Sequence, residues 1–153
     1  MPRGTIRMRA LLYLVTNEPP PIGGPNGGRS KSKPSNGHKT KSTVLVVEDE
    51  ILVRLSVADY LRDTGYQVIE AANATEAQAV LRAGQPVELV FSDINMPGMD
   101  GVTLAKWIRQ EYPAMPIILT SGVATADARD AFFLPKPYTL ETLVAHLKRF
   151  LGS

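Results

Sequence analysis

Cysteine is absent from all 153 residues, which excludes disulfides, thiolate nucleophiles and Cys-based zinc sites. Histidine is nearly absent too. His38 and His146 stand alone, neither with a partner at metal-ligating or catalytic spacing. Long apolar runs are also missing. The run that follows the first basic residues, Ala10 to Val15, has six members, short of the roughly seven to fifteen of a secretory core and the roughly twenty of a spanning helix. No clean small-residue cleavage pattern follows it, so neither export nor membrane insertion is expected, and the absence of cysteine fits a cytoplasmic protein.

Positive charge is scarce where a nucleic-acid module would need it. Residues 1–41 hold eight Lys or Arg against a single acid, Glu18, whereas the remainder holds nine against fourteen. The overall +2 therefore hides a basic leader on an acidic domain, and direct DNA binding is not expected. From Pro19 to Asn36 the sequence PPPIGGPNGGRSKSKPSN contains five prolines, four glycines and three serines, with one aliphatic side chain, Ile22. Such a stretch buries too little to offset its ordering entropy. Residues 1–41 thus read as a flexible basic tail, and 42–153 as one domain.

After Ser42 short β-branched runs alternate with helical periodicity, the pattern of repeated βα units around a parallel sheet. The expected strands are Thr43–Val47, Tyr66–Glu70, Glu88–Ser92, Pro116–Thr120 and Ala131–Leu134. The first, third and fourth are nearly continuous apolar runs, as strands covered on both faces should be. Ile51, Leu52, Leu55, Ala58 and Leu61 are expected to form the inner stripe of the first helix. Asn73 with Glu76 resembles a capping box, Gly84 marks a helix stop, and Thr139 precedes the stripe Leu140, Leu143, Val144, Leu147 and Leu151. Trp107 on the third helix reads as a packing or partner-facing aromatic.

In a doubly wound sheet the functional crevice lies at the carboxyl ends of the strands. Glu48, Asp49 and Glu50 follow the first strand, Asp93 ends the third, Ser121 follows the fourth and Lys136 follows the fifth. Each alone has an ordinary reading: solvated helix start, turn hydroxyl, surface ammonium. Their joint placement points to chemistry. Carboxylates gathered in one crevice repel unless a hard cation sits among them, and all-oxygen ligation suits Mg2+. Beside Lys136, a carboxylate so placed has the charge compensation needed to attack phosphorus.

VLVVEDE, then SDINMPGMDG with Asp93 44 positions after Asp49, then ILTSG, then FLPKPY, together resemble the receiver domain of bacterial two-component response regulators. The resemblance covers about 42–153. It implies a flavodoxin-like (βα)5 fold with strand order 2-1-3-4-5. It implies that Asp93 accepts a phosphoryl group from a histidine kinase or histidine phosphotransfer protein. Asp49, Asp93 and the Asn95 carbonyl would bind Mg2+, with Glu48, where many members have Asp, acting through water. Ser121 and Lys136 would contact the phosphoryl group, the Lys136–Pro137 bond would be cis, and Phe133 would be the aromatic that couples Ser121 to the surface. Met96, Pro97, Gly98, Asp100 and Gly101 match the turn after the phosphorylated strand.

The sequence departs from that pattern in one stretch. Only fourteen residues separate Ser121 from Lys136, several fewer than in ordinary receivers, so a short fourth helix or a loop is expected at Thr125–Asp130. That shortening resembles stand-alone receivers serving atypical histidine kinases and directs attention to the first or fifth helix as partner surface. With only Gly152 and Ser153 after the last helix, a single-domain phosphoryl carrier is expected, its output by protein contact and its downstream target unknown. Two other readings differ in class. An aspartate-nucleophile phosphatase of the haloacid dehalogenase type wants an acid two residues after the nucleophile, where Asn95 stands. A pseudo-receiver that binds without phosphorylation is disfavoured by the intact set Asp49, Asp93, Ser121 and Lys136.

Overall fold

The computed structural model describes residues 40–123 and 131–152. The expected tail (all but its last two residues), His38 and the expected short fourth helix at Thr125–Asp130 lie outside the described residues. Within the Lys41–Ser153 unit the element order is β1 (Thr43–Val47), α1 (Ile51–Asp63), β2 (Gln67–Ala71), α2 (Ala74–Arg82), β3 (Leu89–Asp93), α3 (Gly101–Glu111), β4 (Ile117–Ser121), β5 (Phe132–Pro135) and α4 (Leu140–Leu151).

The strands form one parallel sheet in the order β2-β1-β3-β4-β5, as the resemblance implies. Strand alternation divides the core in two. Leu45, Val47, Val90, Ile117 and Leu119 face α2 and α3, where Ala77, Leu81, Leu104 and Ile108 close over them. Val44, Val46, Leu89, Phe91 and Ile118 face α1 and α4, against Val57, Leu61, Leu143 and Leu147. β1, β3 and β4 are buried along their whole length, which is why their apolar runs are continuous. Fully buried leucines such as Leu45, Leu61, Leu104 and Leu147 each stabilise the fold by about 1.5–3 kcal/mol through removal from water.

Four strands begin and end one residue later than their apolar runs suggest. At the near end of β2, the Tyr66 N–H goes to Leu61 O, closing the turn after α1. At the far ends of β3 and β4 the ladder continues into polar residues: Ile94 N–H donates to Thr120 O, and Lys136 N–H to Ser121 O. Asp93 and Ser121 are therefore strand residues, held by the sheet itself.

The expected inner stripe of α1 is corrected. Ile51, Leu52 and Leu55 are 58%, 70% and 41% exposed, while Val57, Ala58 and Leu61 are buried. The sequence carries two interleaved apolar stripes at helical spacing, and the turn before Val57 and Ala58 points Arg54 inward. Its Nη1 donates to Glu48 O at 2.7 Å and its Nε lies 3.5 Å from Glu70, so Ile51, Leu52 and Leu55 are left facing out.

The other local expectations stand. Asn73 Oδ1 accepts the Glu76 N–H at 2.8 Å, and the Glu76 carboxylate accepts the Ala72 N–H at 2.7 Å. Gly84 takes φ +74° where α2 stops, and Thr139 caps α4 by accepting the Thr142 N–H at 3.1 Å. Trp107 packs edge-on to Tyr112 with the Arg82 guanidinium 5.0 Å from its ring centre, and His146 lies against Phe132. No helix among the described residues is long and apolar enough to cross a membrane.

Candidate functional site

Parallel strands in register bring their carboxyl ends to one edge, and there the polar residues gather. Glu48 extends β1 by donating its N–H to Ala71 O. Its side chain is buried, with Oε1 accepting the Glu50 N–H at 3.1 Å just before α1 begins. Asp49, next in sequence, is exposed. Asp93 ends β3 with 7% exposure. Its Oδ1 accepts the Asn95 N–H at 3.2 Å, and its Oδ2 pairs with Lys136 Nζ at 3.1 Å. Glu48, Asp49 and Asp93 each offer one carboxylate oxygen within 4.8 Å of the others.

Ser121, at the end of β4, is 2% exposed, and its Oγ accepts two hydrogen bonds, from Asn95 Nδ2 and from the Val123 N–H, each at 3.1 Å. The Lys136 N–H donates to Ser121 O at 2.9 Å, so the backbone fixes the ammonium beside the hydroxyl. The Lys136–Pro137 bond is cis. Gly101 opens α3 directly under the site: a Cβ there would meet Asp93 O, and Ile94 Cα at 2.8 Å, so only glycine lets the helix start so close to the strand end.

The structure thus brings together Glu48, Asp49, Asp93, Asn95, Ser121 and Lys136. Phe133 differs from them: half-buried on β5, it packs against the apolar cluster on the α2–α3 face. Two neighbours escaped the sequence reading. Arg54 grips the Glu48 carbonyl, a placement its position on a helix face does not reveal. Tyr138 stacks edge-on to Phe91 at 5.9 Å, and burial first, then the charges of Glu48 and Asp93, push its phenol up to about 12. Its place immediately after Lys136–Pro137 was the available signal.

Electrostatically the cluster is short of positive charge. Three carboxylates face one ammonium, that of Lys136, among the described residues. Burial first, and then the charge of Asp93, raise the Glu48 carboxyl from 4.5 to about 7. A strained, all-oxygen, anionic donor set of this kind fits a hard divalent cation such as Mg2+.

The profile of the response regulator receiver domain matches residues 44–148. The chain belongs to the response regulator receiver family. Among curated proteins, this receiver is 40% identical over 119 residues to the sensor kinase CckA of Brucella abortus, covering 72% of this chain and 12% of that protein. It is 38% identical over 115 residues to the putative response regulator NtrX-like of Rickettsia bellii, covering 69% of this chain and 24% of that one. The match therefore spans a quarter or less of these relatives' length. Among solved structures, the receiver domain of the hybrid histidine kinase CckA is 39% identical with a TM-score of 0.64, over 72% of this chain and 99% of that one. The response regulator TrrA of Thermotoga maritima, in complex with Mg(2+)-BeF, is 28% identical with a TM-score of 0.67, over 71% and 98%. Receiver domains of two-component systems accept a phosphoryl group on aspartate with Mg2+, and the acidic cluster of this receiver is compatible with that ion.

Proposed function

We propose that residues 42–153 act in the cytoplasm as a phosphoryl-accepting receiver in two-component phosphorelay signalling, with Asp93 as the phosphorylated residue and 1–41 as a basic tail. The observation that carries the reading is the setting of Asp93. One oxygen is held by the Asn95 N–H and the other by the Lys136 ammonium, with two further carboxylates within 4.8 Å.

An oxygen of Asp93 attacks the phosphorus of a phosphohistidine on a histidine kinase or histidine phosphotransfer protein. The new O–P bond forms as the P–N bond breaks, and the electron pair returns to the imidazole nitrogen, which is protonated from solvent. Lys136 passes from its ion pair with Asp93 to the charge on the transferred group, while the Ser121 hydroxyl donates to a phosphoryl oxygen. Glu48, Asp49 and Asp93 with the Asn95 carbonyl are the residues that would hold Mg2+, whose bound charge offsets that of the phosphoryl oxygens. The neutral phenol of Tyr138 adds no anion to the site.

Ile51, Leu52 and Leu55 begin α1 immediately after the acidic loop. An exposed apolar face beside the acceptor carboxylate suits a donor protein that must bring its phosphohistidine to Asp93. Output runs through protein contact, in keeping with the acidic balance of the chain after residue 41. The test is transfer from a labelled phosphohistidine domain. Label should move to the wild-type chain and not to Asp93→Asn, and Leu52→Asp with Leu55→Asp should slow transfer from the protein donor while leaving labelling by acetyl phosphate unchanged. Label arriving on Asp93→Asn would overturn the assignment.

A further inference from the structure

Asn95 touches both ends of the proposed reaction. Its backbone N–H holds Asp93 Oδ1 at 3.2 Å, and its side-chain amide donates to Ser121 Oγ at 3.1 Å. Ser121 Oγ also accepts the Val123 N–H at 3.1 Å. A serine hydroxyl has two acceptor positions and one proton. With both acceptor positions filled by N–H donors, the hydroxyl has only its proton left to offer.

We propose that Asn95 is a positioning residue for Ser121. With the Val123 N–H, its amide fixes the orientation in which Ser121 donates to a group on Asp93, rather than accepting from it or turning away. The inference rests on the reading of Asp93 as phosphoacceptor. The geometry supports it from two sides. Ser121 is 2% exposed, so water does not compete freely to orient the hydroxyl. The register pairs Asp93 with Thr120, placing Ser121 one residue beyond Asp93 at the same sheet edge. A phosphoryl group brings only acceptor oxygens to that edge, so a hydroxyl preset as donor is complementary to it, whereas a freely rotating one must be ordered on binding.

The experiment is a double-mutant cycle on the full chain, reading the affinity for beryllofluoride in saturating magnesium; the beryllium bonds a carboxylate oxygen and stands for the phosphoryl group. Wild type, Asn95→Ala, Ser121→Ala and the double variant are compared, with Asn95→Leu as a near-isosteric second substitution and circular dichroism to confirm folding. Loss of one hydrogen bond should weaken beryllofluoride binding about threefold to tenfold in Asn95→Ala. Magnesium is kept saturating for every variant, so a change in its own affinity does not enter the comparison. In the Ser121→Ala background the same change should have no further effect, the signature of an action through Ser121. Equal losses in both backgrounds, or binding by Asn95→Ala and Asn95→Leu as tight as wild type or tighter, overturn the proposal. A wild-type chain that takes no beryllofluoride overturns the phosphoacceptor reading instead, and this inference with it.

Discussion

Glu48 offers a sharp test of the electrostatics at the strand ends. Its carboxyl rises from 4.5 to about 7 in the folded chain, chiefly through burial and then through Asp93. The folded state therefore binds a proton more readily than the unfolded state between those values, and stability must fall as pH rises through that window. A carboxyl shifted from 4.5 to about 7 forfeits about 3 kcal/mol once pH exceeds both values, a large share of the 5–15 kcal/mol typical of a domain. Glu48→Gln removes the titration while keeping a side-chain oxygen in place of the carboxylate Oε1 that accepts the Glu50 N–H. Urea unfolding followed by circular dichroism, in chelator at pH 4.5 and at pH 8, should show the variant gaining on wild type by about 3 kcal/mol across that interval. Saturating Mg2+ should narrow the gap, because bound cation favours the ionised carboxylate. Parallel pH dependences for wild type and variant in chelator would refute the reasoning.

Three further outcomes follow from the geometry. Thr120 Oγ1 is buried without a hydrogen-bond partner among the described residues, so Thr120→Val should raise stability by about 1 kcal/mol in urea unfolding. Gly101→Ala forces a methyl group against Asp93 O and Ile94 Cα, and should cost about 1–3 kcal/mol while lowering acetyl-phosphate labelling, because the backbone that must move carries the acceptor. Leu147→Ala empties a fully buried site on the α1–α4 face and should cost about 2–5 kcal/mol by the same unfolding assay, with labelling preserved at temperatures where the chain stays folded.

The parts of this fold that could be read from sequence are those in which local pattern and burial coincide. β1, β3 and β4 lie between helices on both faces, so their apolar runs mark them without reference to anything distant. Asn73, Gly84 and Thr139 act within a few residues of themselves and were legible for the same reason. α1 was not, because Ile51, Leu55 and Ala58 fit a helical stripe as well as Arg54, Val57, Ala58 and Leu61 do. Only the docking of Arg54 onto Glu48 and Glu70, from two other parts of the sheet, decides which stripe turns inward. The strand ends show a related limit: hydrophobicity stops at Phe91 and Leu119, but hydrogen bonding carries the ladder to Asp93 and Ser121. Asp93, Lys136, Glu48 and Asp49 were visible because strand-end position alone gathers them. The bond from the Asn95 amide to Ser121, and the field of Glu48 and Asp93 on Tyr138, depend on distances that no spacing in the sequence encodes.

The central claim is that Asp93 carries the phosphoryl group, and intact mass tests it most directly. Wild type and Asp93→Asn are incubated with acetyl phosphate and magnesium, with and without chelator. A gain of one phosphoryl unit is predicted in wild type alone and is abolished by chelator. An equal gain in Asp93→Asn would place the chemistry on another residue, and no gain in a folded wild-type chain would contradict the account and favour a receiver that binds without being phosphorylated.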